Sequence, residues 1–344
     1  MKRFYLISLI IFLQISRVYG AGHPNPQEEP VKNLILQGIE LTLNNRFEQA
    51  FRLYQDLIER YPHHPVGYFY CGATLQAQML DREDYSDAGP FYSLMEKSIV
   101  LSDSLDAAGV NDPWVYFYSG SSHLYRGFLK MKLGEWFSAY KDASNGVSLL
   151  EKAIEQDSSL YDAWLGIGSY RYWKSARADF LLWLPFIPDE RDEGIRMVYQ
   201  AIEKGYFVEY VGKDQLVWML LDYGRENEAL ALARENHLAF PGSRFFKWTL
   251  AAAAFRSREF DLSFRLYQEL LDEIRNLPDS NHFNEIDCLV HLAEIEQIRE
   301  DWLQAFRWSD EALRLNLDPE IRQRAKNKLK KALTIRNEAK LYIK

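Results

Sequence analysis

The chain has 344 residues, a net charge of −8, 47% hydrophobic and 15% aromatic residues, and two cysteines. Such a composition excludes a disordered chain and a small disulfide-stapled scaffold. The acidic balance argues against a surface that tracks a phosphate backbone, so no nucleic-acid partner is expected.

Lys2 and Arg3 precede an apolar run from Phe4 to Ile15, and Gly20 follows Val18 and Tyr19 as a small residue at a cleavage point. This is the layout of a secretory signal over residues 1–20, with cleavage near Gly20. The run is shorter than the about 20 apolar residues of a spanning helix, so no integral membrane segment is expected in the mature form. The expected location is therefore periplasmic or secreted. Residues 21–30 are rich in proline and polar residues and read as a flexible leader.

From Val31 onward, apolar and small residues recur at helical spacing in paired segments. Leu34, Gly38 and Leu41, then Ala50, Tyr54 and Leu57, predict a first hairpin that turns at Asn44-Asn45 and stops at Pro62. A second begins at Pro65, 34 residues after Val31, with Tyr68, Gly72 and Leu75 and an enlarged turn over residues 81–90. Pro113 opens a third, whose helices break at Gly134. The fourth holds Tyr161 to Trp173, with Trp164, Ile167, Gly168 and Arg171 on one face, and an insertion over residues 174–188 follows. A fifth runs from Tyr210 and turns at Gly224, and a sixth starts 34 residues later at Arg244. Leu289, Leu292, Ala293, Trp302 and Ala305 mark a seventh. One basic helix from Pro319 to about Tyr342 closes the chain, with nine Lys or Arg against three acids from Asp318 onward. A hairpin of two such helices cannot bury both apolar stripes alone, so stacking is required.

These residues resemble the tetratricopeptide repeat family. Trp164, Ile167 and Gly168 match the first half of its 34-residue pattern, with Arg171 departing from the usual aromatic. Ala50, Tyr54, Leu57 and Pro62, and again Ala229, Ala233 and Pro241, match the second half. The resemblance covers residues 31–317 and implies an all-α fold: a right-handed superhelical solenoid of about seven helix-turn-helix hairpins with a C-terminal capping helix over 318–344. Insertions near 81–90, 127–140, 174–188 and 275–283 depart from the pattern.

In this family partners lie along the first helices of the hairpins. That implies a groove lined by Trp114, Phe117, Tyr125, Tyr172, Trp173, Trp218, Phe245, Trp248, Phe255 and Arg256. Such an aromatic wall suits a protein or peptide partner, with a glycan as the alternative, and core packing is the competing reading of each side chain. The segment from Asp179 to Pro188 holds Phe180, Leu181, Leu182, Trp183, Leu184, Phe186 and Ile187, and reads either as a plug over the inner face or as an interaction loop. Cys71 and Cys288 read as buried thiols in repeats that do not touch. No cofactor is expected. His63-His64 lacks ligand partners at metal spacing, and no nucleophile elbow, phosphate loop or zinc-protease helix is present, so the chain reads as a non-enzymatic scaffold or assembly factor.

Overall fold

The computed structural model describes residues 24–177, 188–278 and 280–343. Sixteen α-helices and no strand lie among the described residues. Seven antiparallel hairpins follow one another: α1 (Val31–Leu43) with α2 (Phe47–Arg60), α3 (Pro65–Arg82) with α4 (Ala88–Ala107), α5 (Pro113–Lys132) with α6 (Trp136–Gln156), and α7 (Asp162–Arg177) with α8 (Arg191–Lys204). They continue with α9 (Glu209–Asp222) and α10 (Glu226–Ala239), α11 (Arg244–Arg256) and α12 (Phe260–Arg275), and α13 (Phe283–Ile298) and α14 (Trp302–Arg314). Each helix packs on its partner and on the next hairpin, which is the stacking of an all-α repeat fold. The signal segment 1–20 and the apolar insertion up to Ile187 lie outside the described residues.

One turn recurs between the paired helices. Asn45, Glu83, Gly134, Gly224, Arg258 and Glu300 all have left-handed backbones, with φ between 50° and 85°. The amide of the following residue reaches back five positions, as from Arg46 to Leu41 O at 2.8 Å, Arg225 to Leu220 O at 2.8 Å and Asp301 to Glu296 O at 2.9 Å. Orphan carbonyls at the ends of these six first helices are satisfied this way, and in five of the six hairpins the chain reverses in three residues. The hairpin of α3 and α4 uses five linking residues, Glu83 to Asp87, fewer than the enlarged turn read from the sequence. Near 127–140 the extra length lies in the helices: α5 has 20 residues and α6 has 21, joined by the ordinary turn at Gly134.

Gly38, Gly72, Gly120 and Gly168 each lie six or seven residues after the start of a first helix, and at each an added methyl would strike the second helix of the hairpin. A methyl carbon on Gly168 would lie 2.8 Å from Gly194 O, and one on Gly120 would lie 2.8 Å from Gly146 O. At Gly38 it would strike the Tyr54 ring. Tyr54 is buried, stacks on Tyr70 at 5.2 Å and donates its hydroxyl to Ile35 O at 3.1 Å. Tyr172 does the same job in the fourth hairpin, donating to Met219 O at 2.8 Å and Asp222 Oδ2 at 2.7 Å.

The terminal helix differs from the single rod read from the sequence. It is split into α15 (Pro319–Arg324) and α16 (Lys326–Ala339) at Ala325, whose ψ of 1° leaves the helical region. The break falls beside Arg324, which turns away to bind hairpin two. Cys71 and Cys288 are both buried, free thiols; burial pushes Cys71 up to about 12.

The apolar interior divides into two large clusters, besides a small one of Ala293, Ala305, Ile335 and Ala339. The first runs from Val31 to Ile167 and takes in Met197 and Phe207; the second runs from Tyr172 to Ala332. They meet within hairpin four. Asp162, at the start of α7, holds the loop that delivers Phe207: its two carboxylate oxygens accept the amides of Tyr206 and Phe207, each at 2.8 Å. Burial pushes the Asp162 carboxyl up to about 6 against these hydrogen bonds. Asp214, which accepts the Thr249 hydroxyl at 2.5 Å, is pushed up to about 6 by the same cause.

This packing sets what substitution and pH should do. Gly168→Ala forces the α7 and α8 backbones apart and should cost about 1–3 kcal/mol in urea unfolding, whereas Gly89→Ala, with nothing within 4 Å of the added methyl, should cost nothing measurable. For Asp162 the folded carboxyl lies above its ordinary value, so the folded state holds the proton more tightly. Its contribution to stability is full below about pH 4 and is lost as pH rises through 6. The stability of the wild type relative to Asp162→Asn should therefore fall between about pH 4 and 6, by roughly 2–3 kcal/mol at most. Flat behaviour across that window would contradict the assignment.

Candidate interaction surfaces

The residues read as groove-lining are not brought together as one wall. Trp114 and Phe117 are buried in an aromatic cluster with Phe69, Tyr70, Tyr118 and Phe207. Tyr125 borders the same cluster, 5.5 Å from the Phe69 ring. The covering group is Phe207, carried in by the loop between α8 and α9. Tyr172 is fully buried, and Trp173 packs edge-on against it. Trp248 meets Tyr267, and Phe255 meets Phe260 and His291, as internal contacts of the last two repeats. Arg256 caps the end of α9 through Leu221 O at 2.9 Å. Phe245 is half-buried and Trp218 is 40% exposed. Trp114, Phe117 and Tyr172 are therefore corrected from groove to core: the aromatic spacing marks a buried stripe that a later loop or the next repeat completes.

A different apolar surface stands open. At the tip of hairpin three, Phe137 is 87% exposed, Tyr140 61% and Trp136 60%, with Phe128 and Leu133 beside them. Trp136 occupies the first position after the three-residue turn. In hairpin one the same position holds Phe47, which is buried; in hairpins six and seven it holds Phe260, packed on Phe255, and Trp302, stacked on Tyr342 at 4.2 Å. Trp136 alone of these four turns outward. The Arg177 guanidinium, at the end of α7, lies 5.6 Å over its ring.

The helices under this tip are fixed by a charge cluster. Asp142 accepts Lys130 Nζ at 2.7 Å, pairs with His123 Nδ1 at 2.9 Å and lies 3.4 Å from Arg126 Nε. Burial alone would raise this carboxyl, but the hydrogen bonds and cations hold it at about 2. Next to the tip an open groove of about 640 Å³ is lined by Tyr92, Glu96, Lys97, Val100, Arg126 and Glu135, among others. The tip is thus a rigid apolar corner with a polar flank, the combination found at the centre and rim of protein interfaces. Trp136, Phe137 and Tyr140 span one arc of about 100° on the helix, the width of an ordinary apolar stripe, so their spacing alone does not mark them as outward.

A second surface joins the two ends of the array. Asn45 donates to Gly242 O at 2.8 Å, and Asp81 takes the Arg244 guanidinium through both oxygens, the Nε contact being 2.8 Å. Asn284 donates to Asp81 O at 2.8 Å, and Asn281 and Arg324 both donate to Glu83 O at 2.9 Å. Hairpins six and seven and the cap therefore meet hairpins one and two, and the solenoid closes on itself.

No group of three His, Cys, Asp or Glu residues is placed to hold a metal ion among the described residues. Among the same residues no helix is long and apolar enough to cross a membrane.

No protein-family model matches the sequence, and no curated protein is detectably similar. Solved structures give the fold. A chain of the APC/C hetero-tetramer Cut9–Hcn1 matches 94% of this chain with a TM-score of 0.54 at 14% identity. This chain spans 56% of the length of that one. Also similar are a thermophilic TPR protein of Thermus thermophilus (TM-score 0.42, 16% identity, 65% of this chain and 98% of that one) and part of a TPR repeat-containing protein of Cytophaga hutchinsonii (TM-score 0.41, 16% identity, 84% and 98%). The architecture is thus that of a tetratricopeptide-like helical repeat protein, and the likeness holds at the level of fold.

Proposed function

We propose that this chain is a non-catalytic scaffold that binds a protein or peptide partner, and that the aromatic corner of hairpin three is the centre of the contact. The observation that carries the reading is the outward Trp136, with Phe137 and Tyr140, at a position that other hairpins pack inward. Three large aromatics exposed together on a helix pinned beneath by Asp142 form a preorganised anchor site. The groove lined by Tyr92 and Lys97 offers room for the partner's flanking chain. A repeat fold shared with a chain of a hetero-tetrameric assembly is in keeping with such a role. The reading extends to export: the charged and apolar start of the chain supports a partner in the periplasmic or secreted space.

The test is a photo-crosslinking residue at position 137, introduced into the full-length protein in its native cell, with a control at Leu238, which is 79% exposed on α10. A discrete adduct at 137 and none at 238 is the expected result. Trp136→Ser with Tyr140→Ser should weaken capture of that partner at least about tenfold, the loss expected for removing interface anchors, while far-UV circular dichroism stays unchanged. An identical adduct pattern at both positions, or capture that survives the double substitution, would overturn the reading.

A further inference from the structure

We propose that the contact between the two ends of the solenoid is a releasable latch, and that the molecule opens as two bodies about hairpin four. The proposal is independent of where a partner binds.

Three observations carry it. The two large apolar clusters meet within hairpin four, a small third lies between hairpin seven and the cap, and none of the three takes in residues from both sides of the end-to-end contact. The contact itself is made of polar groups. Arg244 pairs with Asp81, whose side chain is 1% exposed; Asn45, Asn281 and Asn284 bond to backbone carbonyls of the opposite end. Arg324 donates to Glu83 Oε2 at 2.5 Å and lies 4.7 Å from the rings of both Tyr85 and Phe283, one from each end. Finally, repeats of this kind owe their stability to nearest neighbours, and each hairpin here is complete without the closing contact. Parting the ends therefore hydrates charges and amides together with the Tyr85 and Phe283 rings under Arg324, and leaves the buried members of the apolar clusters covered. A contact of that composition opens at far lower cost than a hairpin unfolds. Opening frees the ends of α3, α11 and α13, surfaces that the closed form withholds from any partner.

The charges are arranged for release by competition. Acids lie on one side, Asp81 and Glu83; cations and amides lie on the other, Arg244, Arg324, Asn281 and Asn284. Lys132 shares Glu83 from the first side at 2.8 Å, so that carboxylate already divides its charge between two cations. Salt weakens such pairs, and a ligand bearing a carboxylate or a guanidinium would compete for them.

Paired spin labels test the latch in the full chain. Cysteines at the exposed positions Arg46 and Pro241 flank the contact of Asn45 with Gly242, and the native Cys71 and Cys288 are buried from the reagent. The wild type should show mainly a short distance, with a long-distance fraction that grows at about 1 M salt, where screening acts within about 3 Å. Arg244→Glu should shift the open-to-closed ratio by about a hundredfold or more, the effect of breaking a buried ion pair. The charge-swapped pair Asp81→Lys with Arg244→Glu should restore the short distance. Arg324→Ala is the milder variant, and it should open the ends partially with the urea midpoint unchanged. A short distance that resists both salt and Arg244→Glu would overturn the proposal by showing a static contact. Loss of cooperative unfolding in Arg324→Ala would overturn it by showing that the contact belongs to the core.

Discussion

Tight reversal of the chain between paired helices is the constraint on which the rest depends. In six hairpins a left-handed residue and a backbone bond reaching five positions back turn the chain, in five of them within three residues, so the second helix must return along the first. The return is close: at Gly120 and Gly168 the two backbones touch through a carbonyl. Close pairing leaves room for tyrosines such as Tyr54 and Tyr172 to fill the space between hairpins and satisfy their hydroxyls on neighbouring carbonyls. From that local geometry come the stacked array and the curvature that brings its ends together.

The same regularity makes departures informative. Four hairpins place a large aromatic directly after the turn, and Trp136 is the one that faces solvent. Among the described residues six hairpins show the left-handed turn. The division between the two large apolar clusters falls in hairpin four. The outward tryptophan and the boundary between the large apolar clusters thus fall in neighbouring repeats.

Much of the fold was legible because its signals are local. Proline at the first helical position marks the starts of α3, α5 and α15, and the evenly placed glycines mark the close contacts. Other features were illegible for physical reasons. Glu83, Arg258 and Glu300 adopt a conformation that glycine favours, because helix pairing imposes it on whatever residue stands there. The aromatic spacing of Trp114 and Phe117 was readable, but their cover is Phe207, which comes from a loop beyond the following hairpin. Contacts such as Asp81 with Arg244 link residues distant in sequence, and no periodicity reports them. The outward Trp136 was visible as a residue and invisible as an exception until the repeats could be superimposed on one another in space.

The length of α5 and α6 has a geometric outcome. From the close contact to the end of the first helix is ten residues in hairpin two, Gly72 to Arg82, nine in hairpin four, Gly168 to Arg177, and twelve in hairpin three, Gly120 to Lys132. Two or three further residues at about 1.5 Å each make an overhang of about 3–5 Å. Hairpin three thus stands slightly proud of both neighbours, with its aromatic cap at the summit. A partner can seat on that summit without entering any concavity, so even a broad, flat protein can reach it.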